Sequence, residues 1–423
     1  MSTSADLTGV PPEALAPAPA AAPRATMARY GVIALYVLAY AGTWIAVQAP
    51  VVVSLPLQVE AIAPAHTAQS LSFVLLLGSL VAFGSPLFGR LSDRTRSRFG
   101  RRRPWLLGGA VIGLAGAIIL AAASTVPALT IGWCLVKLGG SVSLAALLAV
   151  LAEFIVSRQR GLVAGLLGIC PPIGAAAGAW LVNAFSGSTT MMFLAPAFVA
   201  AGVAIAFVAV MPEGPAPIVE RRPVLRGLLV NVRKHPDFGW AWLSRFVFFL
   251  AVGSIVSYQV LYLRHELGKP KSEIPELIAF ATLIKTIVIV AASLVMGRLS
   301  DRVGARKPFV FCAALLFIAG PVVIVLSGTY TGFVVGLAII GLALGTYAPV
   351  DLALVIDVLP NRDEAGKDLG VLNLATTLPG SVAPALAPLL LAVGSGSYTP
   401  LFLATAVFAG VAALLVMPIR GVR

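Results

Sequence analysis

Apolar runs of about 20 residues recur along the whole chain, divided by short polar or basic connections, which is the length a helix needs to cross a bilayer. Twelve such runs are read, at 30–57, 69–88, 105–125, 128–154, 161–185, 190–211, 238–263, 275–296, 308–328, 331–357, 368–392 and 398–418. The period-2 alternation of a membrane barrel is missing from them. The predicted fold is therefore an all-α membrane protein with twelve transmembrane helices. The longest polar interruption splits the runs into two sets of six. It sets an expected organisation of a disordered tail (1–29), a first six-helix bundle (30–211), a linker (212–237), a second six-helix bundle (238–418) and a short tail (419–423).

The two sets repeat one design. Gly89-Arg-Leu-Ser-Asp-Arg94 returns letter for letter as Gly297-Arg-Leu-Ser-Asp-Arg302, 208 positions later. Each copy leads into a basic stretch that ends in proline and an aromatic, Arg103-Pro104-Trp105 and Lys307-Pro308-Phe309. After a second loop four residues shorter, matches continue at an offset of 204, with Glu153 and Asp357 each closing an apolar run. Internally repeated helical halves are a feature of membrane transporters.

Composition narrows the class. The chain is 59% hydrophobic and 11% charged, where a water-soluble domain carries about 25% charge. No gap between runs is long enough to hold a catalytic domain. The net charge of +13 is accounted for by its placement. Of 30 Lys and Arg, 24 fall in the tails, the linker and alternate loops, and only Arg264, Lys269 and Lys271 in the other loops. That split puts both termini in the cytoplasm of a cell-membrane protein, its basic face against anionic lipid, with no need of nucleic acid. Cys134, Cys170 and Cys312 lie far apart inside apolar runs and read as small packing residues. Nothing in the sequence asks for a cofactor or a metal.

Twelve spans in two halves, with Gly-x-Leu-Ser-Asp-Arg and a basic run between spans two and three, resemble the major facilitator superfamily. Within it, Asp93-Arg-Thr-Arg-Ser-Arg-Phe-Gly-Arg-Arg-Arg-Pro-Trp105 is most like the corresponding loop of glycoside and sucrose cation symporters. Those symporters carry acids in the first spans, and here span two has none and span one only Glu60 at its end. Cys170-Pro-Pro-Ile-Gly-Ala175 partly resembles the Gly-Pro-x-x-Gly-Gly motif of drug–proton antiporters.

The resemblance implies a cytoplasmic gate. Gly89 and Gly297 would let helix ends approach closely. Asp93 would face the start of span eleven, near Lys367 to Gly370, where unpaired N–H groups favour a carboxylate. Arg94 and Arg98 would pair with Glu153. The second copy would offer Asp301, Arg302 and Asp357 in the same roles.

Ionised groups deep in a membrane ask for a function. Lys137 and Lys285 fall near the middle of spans four and eight, and Arg245 and Asp351 at similar depth in spans seven and ten. Arg245 and Asp351 are expected to face each other or share a water network. Asp351 is the candidate proton carrier, or else a permanent partner of Arg245. Tyr36, Tyr40, Trp44 and Gln48 repeat at spacing four in span one, and span seven offers Tyr258, Gln259 and Tyr262. Trp44, Gln48, Tyr258 and Gln259 are candidate substrate contacts, since aromatics stack on sugar faces and amides bond hydroxyls. Glycines at 161, 165, 168, 174 and 178 predict close packing of span five, with Pro171 and Pro172 breaking its ladder.

These features point to a monomeric secondary transporter. It would take a small polar organic solute, sugar-like or anionic, by alternating access with proton coupling. Efflux of a drug or metabolite is the alternative within that class. A non-transporting sensor, lipid handler or assembly factor of the same fold is the alternative outside it. No nucleophile–base pair supports an enzyme, and no P-loop supports an ATP-driven pump.

Overall fold

The computed structural model describes residues 30–82, 84, 88, 91–92, 95, 97, 99–155, 157–211, 236–357 and 374–419. Among these, twelve helices are long and apolar enough to cross a membrane. They are α1 (Tyr30–Ile62), α2 (Thr67–Ala82), α3 (Arg103–Ala122), α4 (Val126–Phe154), α5 (Ser157–Ala184) and α6 (Thr189–Val210). The second set is α7 (Pro236–His265), α8 (Ile274–Val303), α9 (Lys307–Ser327), α10 (Tyr330–Asp357), α11 (Pro379–Val393) and α12 (Thr399–Val416).

Packing repeats the sequence duplication. In the first set α1 packs on α5 and α6, α3 on α4 and α6, and α2 on α4. Adding six to each number gives the second set: α7 on α11 and α12, α9 on α10 and α12, α8 on α10. The two bundles meet along α2 with α11 and α5 with α8, a pair of seams the same rule exchanges. The helices start or end alternately at a basic end, which holds Arg101 to Arg103 and Arg306–Lys307, and at the opposite end, which holds 63–66 and 266–273.

Glycine pairs set the closest crossings. A Cβ on Gly116 of α3 would stand 2.7 Å from the Gly132 carbonyl oxygen of α4, and a Cβ on Gly320 of α9 would stand 2.8 Å from that of Gly336 of α10. Both members shift by 204 positions between the halves, so one backbone contact is written twice. In α5 the expectation divides. Gly174 and Gly178 lie against Trp44 and Ala49 of α1, but Gly161, Gly165 and Gly168 meet nothing within 4 Å. That stretch of α5 has bare backbone without a close partner.

Prolines shape the seams. In α11, Pro384 and Pro388 supply no N–H to the carbonyls of Gly380 and Pro384, four residues back. Two serines of α2, two turns apart, take up both orphans. Ser79 Oγ donates to Gly380 O at 3.1 Å and Ser72 Oγ to Pro384 O at 2.6 Å. At the other seam, Thr286 Oγ1 of α8 donates to Pro172 O of α5 at 3.1 Å.

Helix α1 runs further than its apolar stretch suggests, to Ile62, because a π-turn at Pro50–Ser54 redirects it. There Leu55 N–H reaches back five residues to Pro50 O. The turn packs on α5, α6, α7 and α8, at a crossing of both bundles. Such turns often mark functional sites.

A Cβ on Gly139 would stand 2.4 Å from Gly109 O and 2.5 Å from Gly113 N of α3, both backbone atoms. Gly139→Ala is therefore expected to destabilise by about 3 kcal/mol, read as a lowered Tm in detergent. Gly161→Ala, with open space, should hold or raise Tm.

Candidate functional site

Four ionised side chains lie well inside the helices. Lys137 in α4 and Lys285 in α8 each stand eleven residues in from the opposite end, counting from Val126 and Ile274. At 1.5 Å per residue that is about 17 Å of depth. Arg245 and Asp351 lie nearer the basic end, nine residues after the start of α7 at Pro236 and six before the end of α10 at Asp357.

The structure brings Arg245 and Asp351 together. The guanidinium Nη1 donates to Asp351 Oδ2 at 2.5 Å, with side chains only 15% and 4% exposed. Arg245 Nε donates to Thr376 Oγ1 at 2.9 Å, and its guanidinium carbon sits 5.6 Å from the Phe249 ring. Tyr347, one turn before Asp351, stacks on Phe248 at 3.8 Å. The pair is thus walled by aromatics within the second bundle, where a charge without its partner would be poorly solvated.

The lysines have no such partner. Lys285 is buried and its stem packs towards Gly341 of α10. Lys137 is half-buried, with Nζ 5.7 Å from the Trp133 ring one turn back. Neither forms a hydrogen bond or ion pair among the described residues. With Arg245 and Asp351 cancelling each other, the interior of the described bundles keeps two uncompensated cations.

The proposed stacking stripe on α1 divides. Tyr36 is buried and donates to Leu147 O at 2.7 Å, a tie within the first bundle. Trp44 and Gln48 are half-buried, and the Trp44 indole N–H has no acceptor. In α7, Tyr258 is fully buried and donates to Pro384 O at 3.1 Å, while Tyr262 donates to Ile324 O at 3.2 Å. Both hydroxyls are occupied by backbone in this state. Gln259 is fully buried with both amide atoms unpaired.

Of the expected gate, Gly89, Asp93, Arg94 and Arg98 lie outside the described residues. Glu153, Asp301 and Asp357 are placed in α4, α8 and α10 by their backbone alone. A Cβ on Gly297 would meet Pro349 of α10 at 3.7 Å, an ordinary contact within its own bundle, so the expected close approach is not made here. Arg302 is exposed at the end of α8.

The basic repeat has a use that sequence reasoning missed. Arg103 Nη2 donates to Met211 O at 2.6 Å, beside the last turn of α6. Lys307, at the matching position, donates from Nζ to Met417 O at 2.5 Å and Ile419 O at 2.7 Å, beside the last turn of α12. Each cation closes the carbonyl end of a helix in its own bundle, where partial negative charge gathers. The 204-residue offset between Arg103 and Lys307 was the available signal.

A second missed feature is a clasp at the opposite end. Arg264 of α7 holds Glu60 of α1, Nη2 to Oε1 at 3.1 Å and Nε to both oxygens at 3.2 Å. His265 Nε2 lies 3.6 Å from the same carboxylate, and its ring stacks on Tyr398 at 5.7 Å. Glu266 accepts the Tyr398 backbone N–H. The bundles are therefore joined by charge at this end. Glu60 is the lone acid of α1 and Arg264 one of three cations in the cation-poor loops, a pairing visible in the sequence.

The family model described as Major Facilitator Superfamily matches residues 32–284 and again 242–423. The chain belongs to that superfamily. As a member of it, the chain resembles a crystallised bacterial homolog of the human lysosomal transporter Spinster in an inward-facing conformation, at a TM-score of 0.70 and 14% identity over 92% of this chain and 96% of that one. It also resembles the nucleoside transporter NupG, at a TM-score of 0.71 and 12% identity over 92% and 99%. These likenesses carry the fold. Among curated proteins, an uncharacterized symporter of Synechocystis is 56% identical over 39 residues, 9% of this chain and 7% of that protein. MdtD of Escherichia coli, named for multidrug resistance, is 29% identical over 184 residues, 42% and 37%. The chain thus spans well under half the length of the curated relatives it matches.

The enclosed ion pair of this superfamily member gives a stability test. Arg245→Leu leaves Asp351 buried without its partner and is expected to cost about 3–5 kcal/mol. The double change Arg245→Leu with Asp351→Leu should recover most of that loss, measured as Tm in detergent. Equal losses in the single and double variants would show that the two groups do not act as a pair.

Proposed function

We propose that this chain is a secondary active transporter that carries a small polar organic solute, sugar-like or anionic, across the cell membrane by alternating access, coupled to protons. The observation that carries the reading is the charge inside the described helices: three cations, Lys137 and Lys285 at mid-depth and Arg245 nearer the basic end, against Asp351. A polar solute with an anionic group would complete the two unpaired lysines, whereas a cationic drug would be repelled by them.

The distribution of Lys and Arg assigns the basic end to the cytoplasm. The clasp of Glu60 with Arg264 and His265 then closes the outer side, and the described state faces inward. Asp93, Arg94 and Arg98, with Glu153, and the second set of Asp301, Arg302 and Asp357, are proposed as the contacts that close the inner side in the alternate state. Each exposed contact contributes about 1 kcal/mol at most, so neither closure is permanent.

Asp351 is the proposed proton carrier. Its carboxylate holds Arg245 when ionised; a proton on it removes the negative partner and frees the guanidinium for solute. Trp44, Gln48 and Gln259 are the remaining proposed contacts, with Tyr258 reaching solute only when its bond to Pro384 is broken. Export is the second reading. It is supported by the partial similarity to MdtD and by Cys170-Pro171-Pro172 in α5.

Flux in proteoliposomes under an imposed pH gradient tests the reading, with panels of sugars, organic anions and cationic drugs. Asp351→Asn is expected to lose accumulation by tenfold or more while retaining solute counterflow, because exchange needs no net proton movement. Lys285→Ala should weaken an anionic solute more than a neutral one. Binding with no flux for any solute would favour a sensor, and flux of cationic drugs alone would favour export.

A further inference from the structure

A cavity with both polar and apolar walls lies away from the buried charges. It opens at the end where the clasp sits and has a volume of about 430 Å³. One wall is α1 through Ser54 and Gln58, another is the α5–α6 turn through Ser186 and Thr189, and the third is the approach to α8 through Lys271 and Ser272. Leu57, Gly187, Met192, Phe193 and Pro275 complete the lining. Both bundles therefore contribute to a single hollow.

Ser54 is the informative wall residue. Several hydroxyls in these helices return to the carbonyl four residues back, as Thr43 does to Ala39, Ser254 to Leu250 and Thr346 to Leu342. For Ser54 that carbonyl is Pro50's, which the π-turn gives to Leu55 N–H. The Ser54 hydroxyl is left buried, 2% exposed for the residue, without a partner. An unpaired buried hydroxyl costs about 1–3 kcal/mol, so a cavity beside it that can accept a polar group has an energetic reason to be filled. Two helices also begin at this cavity, α6 at Thr189 and α8 at Ile274; Ser188 already accepts the Met191 N–H and Pro275 has none, and the remaining first-turn N–H groups favour negative charge. Glu273 and Glu276, neighbours of Lys271 in sequence, are exposed and do not line it.

We propose that this cavity binds a phosphate group carrying hydroxyls, of the phosphoglycerol kind. Lys271 and the helix starts would hold the charge, and Ser54, Gln58 and Ser272 the hydroxyls. The volume falls within the range of small-molecule sites. The end of the spans is also the depth of lipid headgroups, so the same chemistry can arrive free in water or at the head of an anionic lipid. Because both bundles form the walls, an occupant favours the state in which this end is shut. That last step rests on the alternating-access reading; the binding itself does not.

The purified full chain is tested by thermal unfolding in two arms. One adds glycerol 3-phosphate in detergent. The other compares phosphatidylcholine nanodiscs with and without phosphatidylglycerol. A saturating occupant is expected to raise Tm by about 3 °C or more in at least one arm. A rise in the first arm alone identifies a free solute, and in the second alone a lipid. Lys271→Gln, an exposed change that leaves folding intact, should remove the rise, Ser54→Ala should weaken affinity about tenfold, and Lys269→Gln should leave it. No rise in either arm, or a rise that survives Lys271→Gln, overturns the site. If binding holds but saturating ligand fails to slow flux, the link between occupancy and closure fails and the site stands.

Discussion

A chain in lipid must satisfy its backbone from within, since the hydrocarbon offers no water to an unpaired carbonyl. Proline breaks that closure by withholding a donor; Pro196, Pro321 and Pro349 do so inside α6, α9 and α10, and the prolines of α5 and α11 do so on the seams between bundles. Gly380 and Pro384 lose their helical donors to Pro384 and Pro388, and α2 answers with Ser79 and Ser72. The serine spacing of seven residues is two helical turns, matching one face of α2 to one orphaned face of α11. The bundles are thereby joined by hydroxyl-to-carbonyl bonds. Such bonds can be exchanged for water or re-formed after a small rotation, which interlocked large side chains would resist. At Pro50 the same kind of defect has another outcome. The α1 ladder slips into a π-turn, and the turn carries the end of α1 into contact with α7 and α8 of the other bundle. Glu60 then meets Arg264.

Charge is handled by location. At the basic end, Arg103 and Lys307 close helix ends within their own bundles, so part of a run that resembles a gate is fixed scaffolding. At the opposite end, Arg264 crosses between bundles. Its side chain is 25% exposed against 13% for Glu60, enough water contact to keep the attraction modest. Arg245 and Asp351 are further from water and within one bundle, so their link is stronger and does not itself need to break for the bundles to move.

The sequence carried the architecture more completely than the contacts. The twelve runs and the duplicated hexapeptide implied two related bundles because hydrophobic length and repetition are properties of the chain alone. Arg245 and Asp351 could be matched because depth follows from counting residues along a helix. Helix rotation does not follow from counting, and so Tyr258 and Tyr262, which look like ligand contacts by spacing, turn their hydroxyls to backbone in this state. The π-turn was also hidden, since Pro50 and Pro56 are compatible with an ordinary kink. Glycines at 161, 165 and 168 share a spacing with those that pack closely, but closeness depends on what lies opposite. Gly116 and Gly320 were legible in principle, because each has a partner displaced by the same 204 positions.

The two halves share one plan and differ in its details. The fold pairs α2 with α11 and α5 with α8 by one rule, and a perfectly repeated sequence would make the two seams alike. They are not. The α2–α11 seam holds two serine bonds to proline-orphaned carbonyls, and the α5–α8 seam holds one threonine bond to a carbonyl that keeps its own helical donor position at Ala176. The buried lysines break the symmetry too, since α4 corresponds to α10 and α8 to α2, and neither counterpart carries a cation at the matching depth. Lys137 lies in one bundle and Lys285 in the other, about equally far from the opposite end. In the proposed transport reading, a negative solute between them would draw the bundles together, so binding and closure would share the same attraction.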